Sequence, residues 1–387
     1  MRKLGWLAVT VLCASLAIHN AARMAPTPLI EEFRARYDAD YASVGTVIGA
    51  YTVSYAVSQL VAGLLADRLG NLRLIKAGLL LMALGSGIFA FTADFTLALV
   101  GRFLMGIAGG LLYVPALSYM LAAFGRAERG KAMGVAQGGI GAGIVLTILL
   151  MPPLFLAVGL TAAFAVLPVV ALVLWLGQML VVPELASESR QSSGSVRALA
   201  RDRDFWLLFM GFAFVGMLAQ TAVLSWLPTY LRQEFAFGVA EAGAAGATVA
   251  AGFMVFSPIF GVLADRVGSR LQVMLAGSLI GLAGFAMLLL THDPWLAIAA
   301  GLLVSAGMGA TIAMQVVYAG ERFAAIGAGT AIAIVNTGGQ LSQSLDGPFY
   351  GAILDLGFGW TPVWLIAAIL GALRVGAVLL LREDRTP

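Results

Sequence analysis

The chain is a succession of apolar stretches, each about twenty residues long, separated by short polar joints. That pattern admits few folds. In hydrocarbon no water can take an unsatisfied N–H or C=O, so a spanning segment must close its own backbone hydrogen bonds, as a helix does. Twelve such stretches fall near residues 5–30, 43–66, 74–92, 96–123, 131–155, 159–182, 204–230, 240–264, 272–291, 295–318, 325–350 and 361–381. Hydrophobic residues make up 60% of the chain and charged residues 11%, against about 45–50% and about 25% in soluble domains. The expected fold is an all-α membrane protein with twelve transmembrane helices in a lipid bilayer.

One joint occurs twice. Gly63-Leu-Leu-Ala-Asp-Arg-Leu-Gly-Asn-Leu-Arg73 returns as Gly261-Val-Leu-Ala-Asp-Arg-Val-Gly-Ser-Arg270, roughly half a chain length downstream and again between apolar runs. A duplication follows, with two pseudo-symmetric six-helix bundles at residues 1–182 and 204–387. Residues 183–203 form the one extended polar stretch and read as a cytoplasmic linker. The first segment imitates a secretory leader, with Arg2 and Lys3 before an apolar core. Removing it would break the symmetry of the halves, so it is counted as the first span.

Only Arg34, Arg36 and Arg232 fall in outer joints and only Arg23, Arg102 and Arg374 within spans; the rest of the 23 Lys and Arg lie on the inner side. That asymmetry puts both termini in the cytoplasm of a plasma membrane of the bacterial inner type. The basic residues are scattered through short joints, so the net charge of +3 marks no nucleic-acid surface. The single cysteine, Cys13, excludes an internal disulfide and a cysteine-rich metal site. No nucleophile and base stand at meaningful spacing and no nucleotide-binding loop occurs, so neither an enzyme nor a cofactor or metal is expected.

The chemistry rests with polar residues inside the spans. Arg23 costs several kcal/mol in hydrocarbon unless it faces water or a partner, and on a helix His19 and Asn20 share its side. Arg102 lies at a similar depth in the fourth span. Tyr51 and Tyr55, Gln137, Gln220, Gln315, and Asn336 with Gln340 form further polar stripes, which serve equally well to line a cavity or to hold helices together. Arg374 is expected to snorkel toward the cytoplasmic surface. Asp346 is the one carboxylate inside a span, readable as a proton carrier, a gate partner or an interfacial group.

Both copies of the repeated joint resemble the loop motif of the major facilitator superfamily, and Arg102 followed by Gly106 resembles that family's span-four arginine motif. The resemblance implies a secondary transporter working by alternating access. It implies that spans one and four line a central cavity, so that Arg23 and Arg102 converge on a small organic or inorganic anion with His19, Asn20, Tyr51, Tyr55, Gln137, Gln315, Asn336 and Gln340 around it. Protons are the expected coupling ion, carried by His19 or Asp346, in a monomer. The motif implies a conformational latch built from Gly63, Asp67, Arg68, Gly70, Arg73, Glu128, Gly261, Asp265, Arg266 and Gly268, its aspartates engaging helix N-termini. Export of amphipathic compounds is the alternative, although the fifth span, Gly134 to Gly143, lacks the Gly-Pro signature of drug exporters. A transporter-like sensor that binds ligand without moving it is a third. A reporter fused at Pro387 is expected to read out on the cytoplasmic side; an external signal would reverse the orientation.

Overall fold

The computed structural model describes residues 6–124, 129–184 and 196–382. It divides into two units, Met1–Arg190 and Gln191–Pro387. The first contains α1 (Trp6–Met24), α2 (Ile30–Tyr37), α3 (Tyr41–Leu69), α4 (Asn71–Phe91), α5 (Phe95–Ala123) and α6 (Arg129–Val181). α1 ends two residues before Pro26, which has no N–H to extend the ladder. A single turn of tighter helix, Thr27–Leu29, then leads into α2. α6 holds two spans in one run, broken where Gly159 takes φ 80° and ψ 167°, a conformation open only to glycine.

The second unit contains the short α7 (Val196–Leu199) and α8 (Arg203–Trp206), then a π-helical stretch, Leu207–Gly216, continuing into α9 (Met217–Phe235). α10 (Val239–Val267), α11 (Arg270–Leu290), α12 (Pro294–Arg322), α13 (Ala324–Asp355) and α14 (Thr361–Leu380) follow. Ten helical stretches among the described residues are long and apolar enough to cross a membrane, the longest being the broken one. α13 is not among them. Its apolar run is interrupted by Asn336, Gln340, Ser342, Gln343, Ser344 and Asp346.

Each unit repeats the same internal pairing. α4 packs on α5, α3 on α5 and α4 on α6 in the first; α11 packs on α12, α10 on α12 and α11 on α14 in the second. The duplication also shows in the helix starts. Asp94 caps α5 by accepting from the Leu97 N–H at 2.7 Å, and its own N–H donates to Thr92 Oγ1 at 3.0 Å. Asp293 caps α12 in the same way, accepting from the Leu296 N–H at 2.9 Å and donating to Thr291 Oγ1 at 3.1 Å. Such caps satisfy N–H groups that the first helical turn leaves open. The outward-facing leucines and valines of these helices, among them Leu84, Leu150, Leu180 and Leu290, are the surface that lipid would cover.

At one end of the second unit, Arg322 ties the end of α12 to α8. Its Nε donates to Asp204 Oδ2 at 3.2 Å and its Nη2 to Asp202 Oδ2 at 3.3 Å, with Nη2 also 3.2 Å from Asp204 Oδ2. Asp204 is only 2% exposed. Breaking a pair that leaves a buried carboxylate behind costs about 3–5 kcal/mol, whereas exposed pairs contribute about 0–1 kcal/mol. Arg322→Ala should therefore lower the thermal midpoint of the detergent-solubilised protein by several degrees, and Arg270→Ala, which loosens the 72% exposed Asp265, by far less. Equal shifts would show that the Asp204 pair carries no special weight.

Candidate functional site

The deepest charged side chain of the first unit is a fastener. Arg102 is 0% exposed, and its guanidinium donates to four backbone carbonyls: Ala22 at 2.7 Å, Arg23 at 3.2 Å, and Val47 and Ile48 at 3.3 Å each. The residue four beyond Ala22 is Pro26, so no amide can close the Ala22 carbonyl within the helix. Arg102 supplies the missing donor and places a cation at the negative end of α1. Its guanidinium also lies 4.7 Å from the Tyr51 ring centroid and 5.5 Å from that of Phe89. Four of its five donors go to backbone carbonyls that tie α1 and α3 to α5.

What Arg102 holds in place is a polar aromatic cluster one turn further inward. His19 Nδ1 lies 2.6 Å from the Tyr51 hydroxyl, which in turn lies 2.8 Å from the His19 carbonyl. The imidazole centroid is 4.7 Å from Tyr55 and 6.0 Å from Tyr113, and those two tyrosines meet edge to face at 6.2 Å. Gly109 is what lets α5 come this close: a Cβ there would sit 2.7 Å from His19 Cε1 and 2.9 Å from the Tyr51 hydroxyl. Arg23, half-buried, is within electrostatic reach of His19, Tyr51, Tyr55 and Tyr113. Gln137 from α6 comes within hydrogen-bonding reach of Tyr113 and is otherwise exposed. Asn20 is buried but gives its amide to the Leu16 carbonyl of its own helix, at 3.3 Å. Tyr113 is the member that the sequence analysis missed; its position one turn beyond Gly109 on the same face was the available signal.

The second unit has its own buried polar group. Asp346 is buried within the second unit and lies within hydrogen-bonding reach of Ser225 on α9. Its Oδ1 has no partner among the described residues. Tyr350, one turn on, donates to the Leu218 carbonyl at 3.3 Å. Gln220 donates to Thr311 Oγ1 at 3.4 Å, and Gln315 is buried on the same helix as Thr311. Gln340 is half-buried and Asn336 exposed. Arg374 does not snorkel: it is buried in α14, and a Cβ at Gly216 would stand 2.6 Å from its Cδ.

The family model of the Major Facilitator Superfamily matches residues 7–345 and 214–387. The chain belongs to that superfamily. Its apolar helices are those of a multi-pass membrane protein. Similar proteins include the synaptic vesicular amine transporter of Rattus norvegicus, 25% identical over 64% of this chain and 49% of that one. An anion transporter of the chloroplast from Oryza sativa subsp. japonica, bearing the name "Probable anion transporter 2", is 24% identical over 60% of this chain and 48% of its own length. A Haemophilus influenzae protein named as a metabolite transport protein is 28% identical over 66% and 65%. The matches span about half the length of the amine transporters.

In this superfamily member the two repeated joints owe their final glycines to backbone geometry. Gly70 and Gly268 close α3 and α10 at φ +85° and φ +71°, where a side chain would be strained. Gly63 and Gly261 have nothing within 4 Å of a notional Cβ. Arg68, Arg73 and Arg266 are exposed. Asp265 pairs with Arg270 of its own joint at 2.6 Å, and Arg270 reaches Glu321 at 3.5 Å. The side chain of Asp67 and the whole of Glu128 lie outside the described residues. Arg102→Lys should destabilise the protein nearly as much as Arg102→Ala, since one ammonium cannot span four carbonyls. Thermal unfolding in detergent checks this, and full stability of the lysine variant would rule out the fastening role.

Proposed function

We propose that this protein carries a small organic or inorganic anion by alternating access, coupled to protons, as a monomer in a plasma membrane with both termini inside. The observation that carries this is the charge balance of the first unit. Among its described residues, the ionisable side chains in the middle of the spans are Cys13, His19, Arg23, Arg102 and tyrosines, while Lys76 and the carboxylates stand near helix ends. Glu31 takes Arg34 at 3.0 Å and Tyr41 at 2.7 Å, and Asp40 and Asp94 cap α3 and α5. A half-buried guanidinium among tyrosines and an imidazole is an environment that favours a negative guest. With Arg102 occupied, Arg23 is the residue assigned to the ligand's charge. Tyr55, Tyr113 and Gln137 flank it.

Proton coupling is assigned to His19 or Asp346, the buried imidazole and the buried carboxylate of the spans. A second reading has a specific support. Asp346 is a buried carboxylate of the kind an organic cation would seek, and several similar proteins are named as amine transporters. The two differ in their arginine dependence. In proteoliposomes with an inward proton gradient, Arg23→Ala should cut uptake of labelled carboxylates or phosphate about 10- to 100-fold, the loss expected for one charge-assisted contact. Asp346→Asn or His19→Gln should abolish gradient-driven accumulation while sparing exchange. Uptake of amines that Arg23→Ala leaves intact and Asp346→Asn destroys would decide for the cation.

A further inference from the structure

The Tyr51 hydroxyl has one proton and two neighbours, His19 Nδ1 at 2.6 Å and the His19 carbonyl oxygen at 2.8 Å. The carbonyl can only accept. Were the hydroxyl to donate to Nδ1, two oxygen acceptors would face each other at 2.8 Å with no hydrogen between them, which is repulsive. Both contacts are satisfied only if Nδ1–H donates to Tyr51 and Tyr51 donates to the carbonyl. A neutral imidazole held this way carries its lone pair on Nε2, which has no partner among the described residues. The Nδ1–Cε1 edge is closed by Gly109, and Tyr55 and Tyr113 stand around the ring.

We propose that Tyr51 fixes the His19 tautomer so that the ring presents a bare Nε2 acceptor beside Arg23, and that the guest is a carboxylate with a hydroxyl next to it, a 2-hydroxycarboxylate. This rests on the anion reading above and sharpens it. Arg23 takes the carboxylate, His19 Nε2 accepts from the hydroxyl one helical turn away, and the faces of Tyr55 and Tyr113 border the carbon skeleton. Tyr51 is a positioning residue: its hydroxyl is committed to His19 at both contacts and acts through the ring. A simple carboxylate would satisfy Arg23 and leave the Nε2 lone pair dry, and sites built to hydrogen-bond a hydroxyl discriminate against the analogue that lacks it.

The test uses matched acids that differ only in the hydroxyl, lactate against propionate and mandelate against phenylacetate, as competitors of uptake and as thermal stabilisers of the full-length protein. The hydroxy acid of each pair should bind about 10-fold tighter in the wild type, the worth of one well-made hydrogen bond. Tyr51→Phe should pull that ratio toward one. His19→Gln, which keeps an acceptor near the Nε2 position, should retain more of it than His19→Asn. Equal binding of both acids by the wild type would overturn the proposal without any variant having to fold. A ratio that survives Tyr51→Phe and His19→Asn would overturn it too, leaving the anion reading standing. If neither acid binds and Arg23→Ala changes no uptake, the anion reading falls and this proposal with it.

Discussion

A proline near the end of the first span sets a debt that the fourth span settles. Pro26 leaves the Ala22 carbonyl without its helical donor in a setting where water cannot supply one, and Arg102, far along the chain, reaches across to cap it. The same guanidinium takes Arg23, Val47 and Ile48. Burying a charge is costly, and four carbonyl dipoles with an aromatic face on either side are what offset it. Once that junction is made, α1, α3 and α5 are fixed in both register and rotation. His19, Arg23, Tyr51 and Tyr113 then have no freedom to be elsewhere.

The two arginines of the first unit differ in burial and in what their guanidinium groups touch. Arg102 has lost the exposure and most of the donors that a ligand would need. Arg23 contributes its backbone carbonyl to the fastener and keeps its side chain half-buried toward the tyrosines. The second unit follows the same helix pairings but places a carboxylate, Asp346, where its spans are most polar. A duplicated frame therefore holds chemically unlike groups in its two copies.

Much of the frame was legible because lipid restricts the choices. Apolar runs of about twenty residues and the repeated joint around Asp67 and Asp265 announced spans and duplication, and the break at Gly159 separates two spans that the helical ladder otherwise runs together. The partners of buried polar groups were not legible. Arg102 and Arg23 look alike in sequence, each a lone cation a few residues in from the outer face, and nothing local says which is spent on backbone. Arg374 was read as snorkelling when tertiary packing had buried it against Gly216. The pairing of Asp265 with Arg270, five residues away, was likewise not read from the sequence.

By itself the sequence determined where the helices run, that they repeat, and which few polar residues must be reckoned with in the membrane, because hydropathy and turn chemistry are local properties. Only the tertiary structure decided what each of those residues does. A guanidinium or an imidazole has a role once its donors and lone pairs are counted against neighbours from other helices, and those neighbours are brought within 3 Å by packing between segments distant in sequence.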